Sequence, residues 1–400
     1  MLSFIRSEIL HFKNLPKKAQ TLFISFFFYS TAYPIISVFI SAFIWKSDNN
    51  ISYLIFFRIG QFLIVPLAFI IGGILLRVAK IKTLYFIGAI FIAVSSVLII
   101  FIKNKTVIDF LIMGIILGVG TGFYWVNRNY LTVKETNDDN RSYFFGLLFS
   151  FATLIGLVVT LLVGWFIVFG LSYQLLMTFA FILIILSGLT VLRMDLESPK
   201  IGRLFIHNSS YIWMRKRLIH LGIGFVEGLS YIIPGLLILT MLGNEGILGT
   251  LTAVSSIIST VLIYYYGRKS HSKDHKIYFI YSTILGLLIS ILLAIAFNKL
   301  TVVVYSLLQG LVINFMWLTL ATPLFKNIDF EVGNIEEKRL SYILDTEFFL
   351  NGGRIIGLII CLLIANFYGV SSSLRFSPLV LSLLQFIIFI YLEIFRKKTL

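Results

Sequence analysis

Long apolar segments, separated by short polar ones, follow one another through the whole chain of 400 residues. Each apolar segment has about 20 residues or more, the length that an α-helix needs to cross the hydrocarbon core of a bilayer. We predict twelve spans, at residues 20–45, 51–77, 82–102, 106–131, 142–168, 172–192, 218–241, 246–266, 277–297, 300–322, 341–367 and 376–394. The pattern therefore predicts an all-α protein that crosses the membrane twelve times.

Composition supports this interpretation, because 58% of the residues are hydrophobic and a soluble protein of this size could not bury so many apolar side chains. The first apolar segment, Gln20–Trp45, is longer than the core of a cleaved signal sequence, so we predict that it is retained as a span. Cys361 is the only cysteine, which excludes a disulfide within the chain.

The longest polar stretch lies in the middle of the chain, at residues 193–217. It separates six predicted spans from six others, whereas the remaining connections are short. We therefore predict an N-terminal six-helix bundle at 1–192, a linker at 193–217 and a C-terminal six-helix bundle at 218–400.

The basic residues are distributed unevenly between the two predicted sides of the membrane. If both termini are cytoplasmic, 26 of the 33 lysines and arginines lie in inner segments or at the inner ends of spans, 5 lie in outer loops, and 2, Arg58 and Arg354, lie deeper inside spans. Such a bias predicts cytoplasmic N- and C-termini. It also explains the net charge of +15 without a nucleic-acid partner, while inner lysines and arginines can contact anionic membrane lipids.

The two halves share a weak internal repeat. Gly118, Phe123 and Trp125 of the fourth span recur at one constant offset as Gly310, Phe315 and Trp317 of the tenth. Tyr33-Pro34 in the first span has an approximate counterpart in Tyr231 and Pro234 of the seventh. An even number of spans in each half gives the two copies the same orientation, and parallel repeats of this kind are one recurrent architecture of secondary transporters.

The connection after the second span reads GGILLRVAKIK and resembles the signature loop of the major facilitator superfamily. Gly72, Arg77 and Lys80 match the family pattern, whereas Leu76 replaces its acidic residue and Ala79 its second glycine. The resemblance covers essentially the full length. It implies two six-helix bundles, alternating access, a conformational role for this loop, a small-molecule substrate, a monomer and a location in the plasma membrane. The glycine-proline signature of the family's antiporters is absent from the fifth span.

Apart from Asp109 and Glu393, which lie within three residues of a span end, three acidic residues lie inside predicted spans. A charged side chain there costs about 2.5–3.5 kcal/mol on insertion scales and so needs a reason. Glu227 lies near the middle of the seventh span, and Asp345 and Glu347 lie in the eleventh. We predict these three as proton-coupling candidates, with Glu227 first and Glu347 second. Arg354 is two helical turns from Glu347, too far for a simple direct pair, so Glu227 is its best predicted partner.

The candidate substrate-binding residues are polar or aromatic side chains of the spans that line the central cavity in the family fold. They are Arg354, Arg58, Arg128, Asn351, Trp125, Trp317, Tyr124, Thr121, Tyr33 and Tyr231. In the fourth span, Thr121, Tyr124, Trp125 and Arg128 share one face. Two alternatives remain open at this point: Arg128 can instead extend to lipid headgroups, and the aromatic residues can simply be packing. The hydroxyls of the eighth span can bond to their own helix.

These observations favour a secondary active transporter of a small organic solute, coupled to protons and with no cofactor. No phosphate-binding Gly-x4-Gly-Lys motif is present, and His271 and His275 lie in a charged loop, which favours solvated residues over a metal site. An exporter of drugs, siderophore-like metabolites or lipids is one alternative. A polytopic membrane enzyme or a lipid-handling factor is another, whereas the main hypothesis predicts no enzyme activity.

Overall fold

The computed structural model describes residues 12–102, 105–135, 138–196, 204–206, 209–269, 275–332 and 338–396. Within these ranges the regular structure is helical, and twelve helices are long and apolar enough to cross a membrane, which confirms the predicted number. The helices are α1 (Lys17–Asp48), α2 (Ile51–Leu75), α3 (Ile81–Leu98), α4 (Val107–Lys134), α5 (Asp138–Val168), α6 (Tyr173–Leu192), α7 (Tyr211–Ser230 and Ile233–Met241), α8 (Glu245–Lys269), α9 (His275–Ile295), α10 (Lys299–Val332), α11 (Arg339–Tyr368) and α12 (Val370–Arg396).

Some helices extend beyond the predicted spans. Helix α7 begins at Tyr211, inside the predicted linker, because Ser210 caps its first turn and the Trp213 ring is buried. Helix α12 begins at Val370 rather than at 376, and its polar first turns are held by Ser373, whose hydroxyl donates to the carbonyl oxygen of Cys361. Hydropathy alone did not predict these turns, since tertiary contacts stabilise them.

Helices α1 and α7 both depart from α-helical geometry near a proline. Pro34 is followed by a π-helical segment, Ile35–Phe39, and α7 is interrupted at Tyr231 and Ile232, just before Pro234. Proline lacks the amide hydrogen that an interior helical position donates, so such breaks are expected beside it. Irregular backbone at membrane depth is tolerated where it lines a cavity. Both breaks thus occur beside a proline in the first helix of their half.

Helix packing follows the same pattern in both halves. Within α1–α6, the main contacts join α2 with α4, α3 with α4, α3 with α6, α1 with α6 and α1 with α5. Each of these pairs recurs six helices later, from α8 with α10 to α7 with α11. Contacts between the halves are made mainly by α5 with α8 and by α2 with α11. The contact pattern is that of two similar six-helix repeats, as the sequence predicted.

Contacts between the halves occur at both ends of the helices. We call the end with the α2–α3 loop and the α6–α7 connection the basic end, and the other the opposite end. At the opposite end, the Glu245 carboxylate of α8 lies 2.7 Å from the Lys46 ammonium of α1 and accepts a hydrogen bond from Tyr173 of α6. Towards the basic end, Phe69 and Val126 pack with Leu344 in an apolar cluster. The cavity described below lies between these contacts.

Glycines bring α2 and α4 unusually close together. Gly114, Gly118 and Gly122 form a small-residue face of α4 that lies against α2. A Cβ atom at Gly114 would lie 1.9 Å from the carbonyl oxygen of Phe57, and one at Gly118 would lie 2.5 Å from that of Gln61. Helices in lipid have no hydrophobic driving force for association, so close packing of their backbones at small residues stabilises the contact instead.

We expect Gly114→Leu to destabilise the protein by about 1–3 kcal/mol or more, because the side chain has no room against α2. Gly156→Leu is the matched control, since a Cβ at Gly156 meets no atom within 4 Å. Thermal unfolding of the purified proteins in detergent measures the difference. Equal melting temperatures for both variants would contradict the close packing of α2 and α4.

Candidate functional site

A cavity of about 460 Å³ lies between the two halves, between α1 on one side and α7, α8 and α10 on the other. Its lining includes both irregular segments, from Tyr33 to Ser41 of α1 and around Tyr231 of α7. The remaining polar lining residues are Glu227, Ser230, Thr252, Ser255, Ser256, Ser259, Ser306, Gln309, Asn314 and Trp317. Among the described lining residues, Glu227 is the one with a charged side chain.

Glu227 of α7 and Arg354 of α11 form a buried ion pair at this cavity. The Arg354 guanidinium donates from Nη2 and Nε to Oε2 of Glu227, at 2.9 and 3.2 Å. Trp317 of α10 donates from its indole Nε1 to the other carboxylate oxygen at 3.2 Å. The two charged side chains are only 8% and 12% exposed. Glu227, the partner that the sequence predicted for Arg354, is thus the residue that pairs with it in the structure.

The polar network continues along α11. Arg354 donates from Nη1 to Oδ1 of Asn351 at 2.9 Å, and Asn351 donates from Nδ2 to the Glu347 carboxylate at 3.1 Å. Glu347 thus reaches Arg354 through an amide rather than directly, in agreement with the separation expected from their spacing in the helix. The network connects two carboxylates through one guanidinium.

Glycines also explain why α7 and α11 meet at this depth. A Cβ atom at Gly228 would lie 2.7 Å from the carbonyl oxygen of Arg354, and one at Gly224 would lie 2.3 Å from that of Leu350. On α11, a Cβ at Gly353 would lie 2.2 Å from the carbonyl oxygen of Leu221. With the two backbones in contact, the Glu227 side chain can reach the guanidinium of the neighbouring helix.

Arg58 is buried beside the same centre, on α2 of the other half. Its guanidinium donates to Gln61, to the hydroxyl of Ser41 and to the carbonyl oxygen of Ser37, each at 2.8 Å. The Tyr231 ring lies between the two arginines, with its centroid 5.2 Å from Cζ of Arg58 and 5.9 Å from Cζ of Arg354. Arginine lies favourably over an aromatic face. The predicted residues Arg58, Tyr231 and Arg354 thus form one cluster across the two halves.

The predicted residues of α4 lie elsewhere, within the N-terminal half. Tyr124 is fully buried, stacked on Tyr29 at 4.3 Å between ring centroids, and does not line the cavity. The Arg128 guanidinium lies 4.2 Å from the centroid of Trp125, and the Thr121 hydroxyl donates to the carbonyl oxygen of Leu117 in its own helix. In this conformation these four side chains are packed among aromatic rings or bonded to their own helix.

Asp345 belongs to a separate network towards the basic end. Its carboxylate accepts two hydrogen bonds from Arg217 of α7, at 2.7 and 2.8 Å, and one from the Trp213 indole at 2.7 Å. Gly72 packs against the ring of Phe123, while Arg77 and Lys80 are exposed on the loop between α2 and α3. These residues do not touch the cavity.

Sequence reasoning missed the polar wall of α8 and α10, which includes Ser259, Ser306 and Gln309. Hydroxyl-bearing helices are common, so only the cavity shows which of these side chains face it. It also missed Glu245, which the sequence places at a helix start. The described residues contain no cluster of three or more His, Cys, Asp or Glu side chains. His271 lies outside those residues, and the side chain of His275 is not described.

Comparisons with known proteins identify relatives of this chain. No family model matches it. A protein of Bacillus subtilis (strain 168) described as uncharacterized protein YqgE is 26% identical over 361 residues, which cover 84% of this chain and 80% of the relative. A protein of Geobacillus stearothermophilus described as an uncharacterized protein in the sodM 3′ region is 30% identical over 132 residues, or 32% of this chain and 62% of the relative.

Solved structures share the fold over nearly the whole chain. A D-xylose-proton symporter superposes with a TM-score of 0.66 and 14% identity, covering 92% of this chain and 96% of its own. The human organic anion transporter MFSD10 (TETRAN) gives a TM-score of 0.64 and 11% identity, covering 93% and 99%. Both are major facilitator superfamily transporters. This chain is therefore a multi-pass membrane protein with the major facilitator superfamily fold, which confirms the fold that its sequence motif implied.

Proposed function

We propose that this chain is a secondary active transporter that moves a small organic solute across the plasma membrane by alternating access, driven by protons. One observation carries the proposal: a carboxylate, Glu227, lines a cavity between two helical repeats and is held by a buried arginine. Buried charges in membrane helices are costly and mark ion and substrate pathways.

The ion pair suggests how proton binding and solute binding could be coupled. A proton on Glu227 removes the negative charge that Arg354 faces, so the free energy of the pair depends on protonation. The same carboxylate accepts from Trp317, which also lines the cavity. Protonation at Glu227 would therefore alter both the cavity wall and the contact between α7 and α11. Glu347, joined to Arg354 through Asn351, is the second candidate for this role.

Alternating access requires contacts between the halves that can break at one end at a time. We infer that the halves at 1–192 and 218–400 move as two bodies joined by the linker. The Glu245 contacts join them at the opposite end, and the apolar cluster with Phe69, Val126 and Leu344 joins them towards the basic end. Tyr231 and the arginines beside it lie where both bodies meet.

Proton coupling has further support from one relative in structure, which is named a proton symporter for D-xylose. A transported solute and a proton account for the whole mechanism, so we propose no cofactor, metal or enzymatic reaction. A monomer suffices, since the cavity is formed within one chain.

We expect Glu227→Gln to lose proton-driven accumulation while retaining counterflow exchange, because the amide keeps a similar shape but cannot exchange a proton. Proteoliposomes with an imposed pH gradient and radiolabelled D-xylose, D-glucose or benzoate measure both activities. Asp109→Asn is the control, since the Asp109 carboxylate belongs to the capping box with Thr106 at the start of α4, at the opposite end, and does not line the cavity. Unimpaired proton-driven accumulation in Glu227→Gln would exclude this carboxylate from coupling, and no uptake of any probe by the unaltered protein would count against transport.

We expect Glu245→Gln to favour conformations open at the opposite end, because it removes the charge that Lys46 of the other half contacts. The readout is labelling of a cysteine placed at Ser41, a cavity residue, by a membrane-impermeant maleimide in a Cys361→Ser background. Labelling should become several-fold faster.

The matched control for that experiment is Asp48→Asn. Asp48 pairs with Lys105 at the same end, at 3.7 Å, but both residues belong to the N-terminal half. The control should leave the labelling rate unchanged. Equal rates in Glu245→Gln and the unaltered protein would show that this contact does not hold the two halves together.

A further inference from the structure

We propose that the transported solute is a neutral, polyhydroxylated molecule, bound by hydrogen bonds to Ser259 of α8 and to Ser306 and Gln309 of α10. The inference rests on the proposed transport function and names the chemical class of its substrate. It differs from the binding by arginines that the sequence suggested.

The three side chains share an unusual property. They line the cavity, and they are 2%, 8% and 2% exposed, respectively. Among the described residues, none offers a hydrogen-bond partner to the hydroxyl oxygens of Ser259 and Ser306 or to the amide nitrogen of Gln309. Buried polar groups in folded proteins are almost always paired, and leaving one unpaired costs folding free energy. Three such groups on one cavity wall point to a ligand that pairs with them.

Neighbouring hydroxyls of the same wall are already satisfied. The hydroxyl of Thr252 donates to the carbonyl oxygen of Leu248 at 2.8 Å, and that of Ser256 donates to the carbonyl oxygen of Thr252 at 3.0 Å. This is the usual way in which hydroxyls are accommodated in membrane helices. Ser259, one turn further along α8, makes no such bond to its own helix. Its unpaired hydroxyl is therefore not a general property of serines and threonines in this helix.

The arginines of the site are already engaged by the protein. Arg354 is bonded to Glu227 and Asn351, and Arg58 is bonded to Ser37, Ser41 and Gln61. Neither arginine is among the lining residues. Nε of Arg58 has no partner among the described residues, but Arg58 does not line the cavity. A carboxylate or phosphate in the cavity would therefore meet the negative charge of Glu227 and no cation on the described wall. A neutral solute meets no such penalty.

Hydroxyl groups on the solute fit the unpaired atoms in both directions. A serine hydroxyl donates and accepts, whereas the glutamine amide nitrogen only donates. A polyol offers a donor and an acceptor at each carbon, so one ring can satisfy all three groups. The lining rings of Tyr33, Tyr231 and Trp317 provide apolar surface for the ring faces of such a molecule. The cavity of about 460 Å³ has the size usual for small-molecule sites.

Binding is tested by thermal stabilisation of the purified protein, which reports ligand affinity without requiring transport. D-glucose, D-glucuronate and D-glucosamine form a matched set of similar size with neutral, negative and positive charge. D-xylose and myo-inositol extend the neutral group. We expect at least one neutral compound to raise the melting temperature in a saturable manner and its charged counterparts to have little effect.

Variants then assign the binding residues. We expect Gln309→Met and Ser259→Ala each to weaken binding of the stabilising compound by roughly two- to tenfold, the loss of one hydrogen bond. The melting temperature of the ligand-free protein should stay unchanged or rise, because an unpaired buried polar atom is removed. A purely structural role would lower it instead.

Thr260→Val is the matched control for Ser259→Ala. Thr260 is the next residue of α8, is exposed, and donates to the carbonyl oxygen of Ser256. It should leave the affinity unchanged.

Two outcomes would overturn the inference. One is lack of stabilisation by every neutral compound, whether or not a charged compound stabilises the protein, and the other is full affinity in both Gln309→Met and Ser259→Ala. If proteoliposomes nevertheless accumulate a charged solute, such as benzoate, in a pH gradient, the proposed transport function still holds and only the substrate class is wrong. Absence of gradient-driven uptake of every probe would contradict the proposed function itself.

Discussion

The buried pair of Glu227 and Arg354 is the interaction on which the centre of this molecule depends. Either charge alone at membrane depth would be costly, and removing one partner of a buried pair typically costs about 3–5 kcal/mol. The pair forms because Gly224, Gly228 and Gly353 let α7 and α11 touch along their backbones. Packing and charge pairing therefore depend on each other here. The glycines bring α7 and α11 together, and the ion pair offsets the cost of burying the two charges.

The same centre connects the two repeats. Tyr231 lies at the interruption of α7 and between the guanidinium groups of Arg58 and Arg354, one from each half. The cavity lies beside this contact, where α1 and α7 lose regular geometry near Pro34 and Pro234. A change of charge at Glu227 would thus act on a point where both halves meet, as the proposed alternating access requires.

Two kinds of polar group serve different purposes in this arrangement. The charged groups are bonded to one another or to the protein, although Nε of Arg58 has no partner among the described residues, and only Glu227 among the described charged residues reaches the cavity wall. The uncharged wall of α8 and α10 instead retains unpaired hydrogen-bonding atoms. We infer that the ion pair responds to protons, whereas Ser259, Ser306 and Gln309 bind the solute.

The sequence by itself determined the twelve spans and the two repeats, because apolar length and the positions of polar loops are local properties that a bilayer constrains strongly. It also indicated that Glu227 could reach Arg354, since few charges lie at that depth and each needs a partner. Only the tertiary structure decided that Tyr124 is buried in an aromatic stack, that Asp345 pairs with Arg217, and that Ser259 lacks the bond that Ser256 makes. These outcomes depend on which helices approach and how each is rotated, and helical periodicity does not specify the neighbour that a given face meets.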